Sequence, residues 1–89
     1  MTYKKTVRVE RDLRDIYRYT RRQFGRPQAL KYLNELESVF GLISEQPRIA
    51  RVYKGQIRQF VHNRHIVLYC IETDSVLIVQ ILHGAQRQS

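Results

Sequence analysis

The stretch from Gly55 to Gly84 reads GQIRQFVHNRHIVLYCIETDSVLIVQILHG and decides the fold class of the chain. It contains three runs with the composition of β-strands, Gln56–His62, His65–Glu72 and Val76–His83. The connections between these runs are only a few polar residues long, and connections this short join antiparallel strands. The stretch therefore predicts a three-stranded antiparallel meander that carries arginine and histidine near its ends.

Two helices are predicted upstream of the meander, from apolar residues that recur every three or four positions. The first helix runs from about Glu10 to Phe24, and the second ends near Gln46-Pro47. Between them Gly25-Arg26-Pro27 suits the end of one helix and the start of the next, so the helices form an antiparallel hairpin. Their apolar positions are Leu13, Ile16, Tyr17, Thr20 and Phe24 in the first helix, and Ala29, Tyr32, Leu33, Leu36, Val39, Phe40 and Ile43 in the second.

The rest of the chain completes an α+β fold. Alternating residues predict a short strand over Tyr3–Val9, and Pro47–Gly55 reads as a polar connection. The only large apolar surface left to cover the helical hairpin is the sheet. We therefore expect a single domain over residues 1–89, with an N-terminal strand, a helical hairpin and a meander packed on the helices.

One strand of the meander looks apolar on both faces. Val76–Leu82 is apolar at all but one position, which is typical of an inner strand. Because the helices cover only one face of the sheet, the other face either docks another chain or is partly filled as the sheet curls. Tyr53, Phe60 and Tyr69 are the side chains that would fill it.

The chain is strongly basic. It carries 16 lysines and arginines against 8 acids in 89 residues, a formal net charge of +8, and 12 of the 16 bases are arginine. Such an excess favours an anionic partner, either a nucleic acid or an acidic protein. Five arginines lie opposite the apolar stripe of the first helix, where they either meet that partner or form a solvated face paired in part with Asp15, Glu35 and Glu37. They are Arg11, Arg14, Arg18, Arg21 and Arg22.

Several classes of site lack their characteristic residues in this sequence. The three histidines and one cysteine have no metal-binding spacing, and no glycine-rich phosphate loop is present, so we expect no metal and no cofactor. Cys70, alone in an apolar strand, favours a structural thiol in a reducing compartment. Because Met1–Glu10 does not resemble a signal peptide and no apolar run approaches ~18 residues, we expect a cytoplasmic protein without a membrane partner.

A series of short motifs extends in order along almost the whole chain. They are Asp12-Leu13, Ile16-Tyr17-x-Tyr19-Thr20, Phe24-Gly25-x-x-Gln28-Ala29-x-x-Tyr32, Pro47, Arg51, Gly55-x-x-Arg58, His65-x-x-x-Tyr69 and Ile81-Leu82-His83-Gly84. Each motif alone is common, but the ordered set is hard to obtain by chance. In order and approximate spacing it resembles the ParE branch of the RelE/ParE toxin superfamily.

This resemblance implies the toxin of a type II toxin–antitoxin module. It implies a ParD-like antitoxin, expected to be acidic against a +8 partner, which wraps the toxin in a hetero-oligomer and neutralises it. It also implies binding to DNA gyrase, through the A subunit, and trapping of the cleaved DNA–gyrase complex without enzymatic activity of the toxin itself. Toxins of the RelE branch share the fold and instead cleave messenger RNA on the ribosome, so fold alone does not decide the target. A toxin with a target other than gyrase is a further alternative.

Two positions argue against the nuclease alternative. In the RelE-like pattern an arginine lies three residues before the strand tyrosine, and that place, counted back from Tyr69, holds Ile66. An apolar residue there cannot stabilise a pentacovalent phosphorane. After Gly84 only AQRQS follows, without the terminal tyrosine or His-Tyr pair of the nucleases. We therefore expect binding and assign no catalytic residue.

Two sets of residues are candidates for binding. The first, for the target, combines imidazoles and guanidiniums that could alternatively serve acid–base chemistry on a phosphodiester. The second, for the antitoxin, is apolar and aromatic. The target set is Arg58, His62, Arg64, His65, His83 and Arg87, and the antitoxin set is Leu13, Tyr17, Phe60, Tyr69, Ile81 and Leu82.

Overall fold

Two helices and a five-stranded sheet make up the part of the chain that the computed structural model describes, residues 2–84. The elements are β1 (Thr2–Lys5), α1 (Val7–Phe24), α2 (Arg26–Glu45), β2 (Arg51–Lys54), β3 (Ile57–His62), β4 (His65–Ile71) and β5 (Ser75–His83). The strand order is β1-β5-β4-β3-β2, with β1 parallel to β5 and all other pairs antiparallel. The α+β class and the inner position of the last strand are confirmed. Within residues 2–84, no helix is both long and apolar enough to cross a membrane.

The helical hairpin covers one face of the sheet, as predicted. The buried positions of α2 follow the predicted stripe, and they pack against side chains from β4 and β5. Each large apolar side chain in this core stabilises the fold by about 1.5–3 kcal/mol relative to exposure. The buried apolar α2 side chains are Ala29, Leu36, Val39, Phe40 and Ile43, and the strands contribute Val67, Tyr69, Val76, Ile78 and Ile81.

The N-terminal strand is shorter than the sequence pattern predicted. The prediction of a strand over Tyr3–Val9 was wrong at its end, because β1 stops at Lys5 and α1 begins at Val7. The cause is Thr6, whose Oγ1 accepts a hydrogen bond from the Val9 backbone N–H at 3.1 Å and caps the helix. Val9 is thereby turned into the core, while Val7 stays exposed.

A fifth strand lies in the segment that was predicted to be a polar connection. Arg51 and Val52 pair with β3 across a bulged edge, so the prediction of no secondary structure over Pro47–Gly55 was wrong. Two side chains from neighbouring strands hold the segment in place: Arg58 donates to the carbonyl of Ala50 at 2.6 Å, and the Tyr69 hydroxyl donates to the carbonyl of Pro47 at 2.7 Å. The contact between Tyr69 and Pro47 joins residues 22 positions apart, which a local pattern does not report.

Helix α1 satisfies backbone groups along one side of β5. Pairing between β1 and β5 ends at Lys5 and Ile78, so the later residues of β5 lose their strand neighbour on that side. The Thr6 hydroxyl donates to the carbonyl of Val79 at 2.9 Å, and the buried Asp12 accepts from the backbone N–H of Ile81 at 2.9 Å. Asp12 therefore joins the helix to the last strand by a buried hydrogen bond.

Candidate functional site

A cleft of about 900 Å³ opens between the helical hairpin and one end of the sheet. Its walls come from α1, the start of α2, the turn between β3 and β4, and the end of β5. Phe24, the last residue of α1, was predicted to face the core but is 69% exposed and lines this cleft instead. Other lining residues include Arg8, Asp15, Tyr19, Tyr32, Arg64, His65 and His83.

The three histidines, at the end of β3, the start of β4 and the end of β5, lie close together around Tyr32. The Tyr32 hydroxyl and His65 Nδ1 share a hydrogen bond of 2.7 Å. The His65 ring lies 5.6 Å from that of His83 in an edge-on arrangement, and the Tyr32 ring lies 5.7 Å from that of His62. The structure therefore brings together three members of the predicted target set and adds Tyr32 from α2.

His62 has a carboxylate partner that the sequence did not indicate. Its Nε2 lies 3.2 Å from Oε1 of Glu35, which α2 carries over the end of β3. The two residues are 27 positions apart, so only the packing of α2 against the sheet brings them together. The contact with Glu35 fixes the orientation of the His62 ring.

Burial sets the protonation state of His65. Loss of hydration lowers its pKa from 6.5 to about 4, with smaller contributions from His83 and His62. The ring is therefore neutral at neutral pH, and an imidazole with so low a pKa is a poor general acid there. This cluster is suited to hydrogen bonding and aromatic contact more than to proton transfer.

The depressed pKa of His65 predicts acid-sensitive stability. Between pH 6.5 and about 4 the unfolded chain binds a proton that folded His65 does not, so stability is fully present above pH 6.5 and is lost as the pH falls towards 4. Because the ring remains partly open to solvent, we expect a loss of about 1–2 kcal/mol over this range. Urea unfolding at about pH 7 and about pH 5 measures it.

The variant His65→Gln provides the control for this pH dependence. It removes the titrating ring and leaves His62, His83 and Glu35 in place, so the difference in unfolding free energy between the two pH values should shrink. An unchanged difference in His65→Gln would assign the acid sensitivity to those neighbours instead.

The predicted arginines have separate environments. Arg58 is half-buried and holds the segment before β2, away from the cleft. Arg64 is exposed at the turn between β3 and β4, where its carbonyl accepts from the N–H of Gly84 at 2.6 Å. Of these two arginines, Arg64 lines the cleft and Arg58 does not. The third predicted arginine, Arg87, lies outside the described residues.

The face of the sheet turned away from the helices is largely apolar. By strand register this outer sheet face consists of Gln59, Val61, Ile66, Leu68, Cys70, Leu77, Gln80 and Leu82. Ile66 is 1% exposed, whereas Val61 at the β3 edge is 51% exposed. The Oε1 atom of Gln59 is buried without a hydrogen-bond partner among residues 2–84. Burial raises the pKa of the Cys70 thiol, with a smaller contribution from Glu72, which disfavours the reactive thiolate.

Two of the three side chains that the second alternative placed on this outer face lie on the helix side instead. Phe60 and Tyr69 pack against the helix-side core, so the interpretation that they fill the far face of a curled sheet was wrong. Alternation along β3 and β4 turns them inward, because they pair with Val67 and Arg58 on the helix side. Phe60 and Tyr69 therefore do not cover the apolar outer sheet face.

Half of the predicted antitoxin set is buried in the core. Leu13, Tyr69 and Ile81 lie between the helices and the sheet, so their side chains have little or no surface to offer a partner. The prediction took apolar residues in regular elements as exposed, but these three face the hairpin–sheet interface. Tyr17, Phe60 and Leu82 are half-buried and retain accessible surface.

Comparison with known proteins identifies the family. A family model described as ParE toxin of type II toxin-antitoxin system, parDE, matches residues 3–88. Toxin ParE1 of Caulobacter vibrioides is 29% identical over 84 residues, covering 91% of this chain and 86% of that protein. A chain of the chromosomal ParDE TA system from P. aeruginosa shares the fold, with a TM-score of 0.83, 17% identity, and coverage of 93% of this chain and 95% of that one. The chain therefore belongs to the ParE toxin family of type II toxin–antitoxin systems.

Proposed function

We propose that this toxin inhibits DNA gyrase, through its A subunit, by stabilising the cleaved DNA–gyrase complex and so blocking replication in the cytoplasm. The observation that carries the proposal is the ParE family match over residues 3–88. In this mechanism the toxin acts by binding, and the DNA is cleaved by gyrase itself.

The chemistry of the sheet supports binding over catalysis. Ile66, at the position where the RelE-like pattern has an arginine, is buried among apolar neighbours on the outer sheet face. This position therefore has no guanidinium group to stabilise a phosphorane. In the cleft, His65 is held neutral, so it does not supply a proton to a leaving oxygen at neutral pH.

The exposed side chains of the cleft are the surface we assign to the target. Arg64 and His83 are exposed beside it, and Tyr19 and Phe24 add aromatic surface at 55% and 69% exposure. Aromatic and arginine side chains are those that contribute most to protein–protein affinity. His62 and His65 lie behind them and fix the shape of the cleft through Glu35 and Tyr32.

The outer sheet face is the surface we assign to a cognate ParD-like antitoxin in a toxin–antitoxin hetero-oligomer. Val61, Leu77 and Leu82 leave apolar area uncovered there. The net charge of +8 makes an acidic partner electrostatically complementary. A segment that is disordered when free and amphipathic when bound fits such a surface.

A supercoiling assay with purified gyrase tests the proposal. Relaxed plasmid, gyrase and ATP are incubated with the toxin, and samples are treated with detergent and protease to release trapped cleaved DNA. We expect loss of supercoiling and the appearance of linear DNA only when toxin is present, and suppression of both when the toxin is first mixed with its antitoxin.

The same preparation separates gyrase inhibition from the alternatives. If gyrase supercoils the plasmid equally well with and without folded toxin, the gyrase assignment is contradicted. Cleavage of messenger RNA on ribosomes by that toxin would then support the RelE-type endoribonuclease, with the imidazoles of the cleft as its acid–base groups. Absence of both activities would indicate a different target.

A further inference from the structure

Helix α1 carries a continuous row of exposed arginines on the side away from the core. The α1 arginine stripe consists of Arg11, Arg14, Arg18, Arg21 and Arg22, all of them exposed. At about 100° per residue these five positions fall within an arc of about 100°. The buried residues Val9, Asp12, Leu13 and Ile16 are centred on the opposite side of the helix.

Neighbouring acids neutralise little of this charge. Asp15 lies 3.6 Å from Arg18, but both side chains are more than 60% exposed, so the pair is screened by water. Arg11, Arg14, Arg18 and Arg22 follow one another at three- and four-residue spacing, and like charges at that spacing destabilise a helix by about 0.2–0.5 kcal/mol per pair. A bound polyanion would relieve this repulsion.

We propose that the α1 arginine stripe binds the phosphate backbone of duplex DNA, without reading its sequence. The stripe is about 16 Å long at 1.5 Å per residue, a length over which duplex DNA carries about ten phosphate charges. Guanidinium groups suit phosphate oxygens because they donate two parallel hydrogen bonds.

The composition of the stripe favours DNA over an acidic protein. Between Arg11 and Arg22 this side of the helix carries only arginines and Asp15, with no apolar or aromatic residue. A protein interface needs a desolvated apolar or aromatic centre, whereas phosphate contacts need only cations. The inference does not depend on gyrase as the target, but a poison that engages a DNA–gyrase complex would gain affinity from this contact.

Fluorescence anisotropy with a labelled duplex of about 20 base pairs and no gyrase tests the stripe directly. Five phosphate contacts predict that log Kobs falls with log salt concentration at a slope of about −4.5. The triple variant Arg14→Gln, Arg18→Gln, Arg21→Gln should reduce that slope to about −2 and weaken binding about 100-fold at ~0.1 M salt. Thermal melting establishes that the variant is folded.

A matched triple variant controls for net charge. Arg48→Gln, Arg51→Gln, Lys54→Gln removes the same charge from three exposed positions around β2. It should keep a slope close to that of the unmodified chain. Equal slopes in the two triple variants would overturn the proposal. Unchanged DNA binding by the α1 variant would also overturn it, and if antitoxin binding were weakened in the same variant, the stripe would be assigned to an acidic protein. Because gyrase is absent, neither result bears on the supercoiling assay.

Discussion

Replacing Asp12 by alanine is expected to lower the free energy of unfolding by about 3 kcal/mol. Asp12 is a buried carboxylate on α1, and its Oδ2 accepts from the backbone N–H of Ile81 at 2.9 Å. At that point β5 has no strand neighbour on the α1 side, since β1 has ended at Lys5. Alanine would leave the Ile81 N–H without an acceptor, and a buried unsatisfied donor is costly.

Urea unfolding measures this effect, and two nearby variants provide its controls. Arg8→Gln removes the partly exposed partner of the other carboxylate oxygen, and Asp15→Ala removes an exposed ion pair on the same helix. Each should change stability by less than ~1 kcal/mol. Asp12→Asn keeps an acceptor, so its loss of unfolding free energy should lie between the losses of these two controls and that of Asp12→Ala. An Asp12→Ala loss no larger than that of Asp15→Ala would contradict the role of Asp12 as the acceptor for β5.

Local periodicity accounts for the parts of the fold that were predicted correctly. The α2 stripe from Ala29 to Ile43 is set by residues within one helix, and the meander by residues within a few positions of each turn. The parallel pairing of β1 with β5 joins residues more than 70 positions apart, and no local pattern specifies it. Sequence therefore predicted an N-terminal strand without predicting its partner.

Asp12 illustrates why one stabilising residue was missed. In the sequence Asp12 was noted only as part of the Asp12-Leu13 motif, because an acid near the start of a helix is favoured by the helix macrodipole whether or not it is buried. Its burial follows from the end of β1, which leaves the Ile81 N–H unpaired beside it. A carboxylate at that position becomes significant only when helix and strand are placed together.

Only part of the histidine cluster follows from the sequence, for a similar reason. His62, His65 and His83 lie at the ends of adjacent strands in a meander, so their clustering follows from antiparallel pairing. Their partners Tyr32 and Glu35 come from α2, and whether a helix residue faces the core or the sheet end depends on how the helix crosses the sheet. That crossing is a tertiary property.

The adjacent residues Ile81 and Leu82 should respond differently to the same substitution, Ile81 mainly in stability and Leu82 mainly in binding. Ile81 is 5% exposed and faces the helices, so Ile81→Asp would bury an unpaired carboxylate in the core. We expect a loss of about 4 kcal/mol or more, a large fraction of the total stability of about 5–15 kcal/mol that is usual for a domain. Circular dichroism and urea unfolding would report it, and Ile81→Val, which keeps an apolar side chain, should cost only about 1 kcal/mol.

Leu82 pairs with Ile66 on the outer sheet face, where a carboxylate stays within reach of water. Leu82→Asp should therefore fold, with a loss of about 1 kcal/mol, and its effect should appear in binding. If the acidic antitoxin docks on this face, the new charge lies inside an apolar contact and repels the partner, so affinity should fall about 100-fold or more. Equal destabilisation by the two aspartates would contradict the assignment of these residues to opposite faces. Normal antitoxin affinity of a folded Leu82→Asp variant would place the antitoxin elsewhere on the toxin.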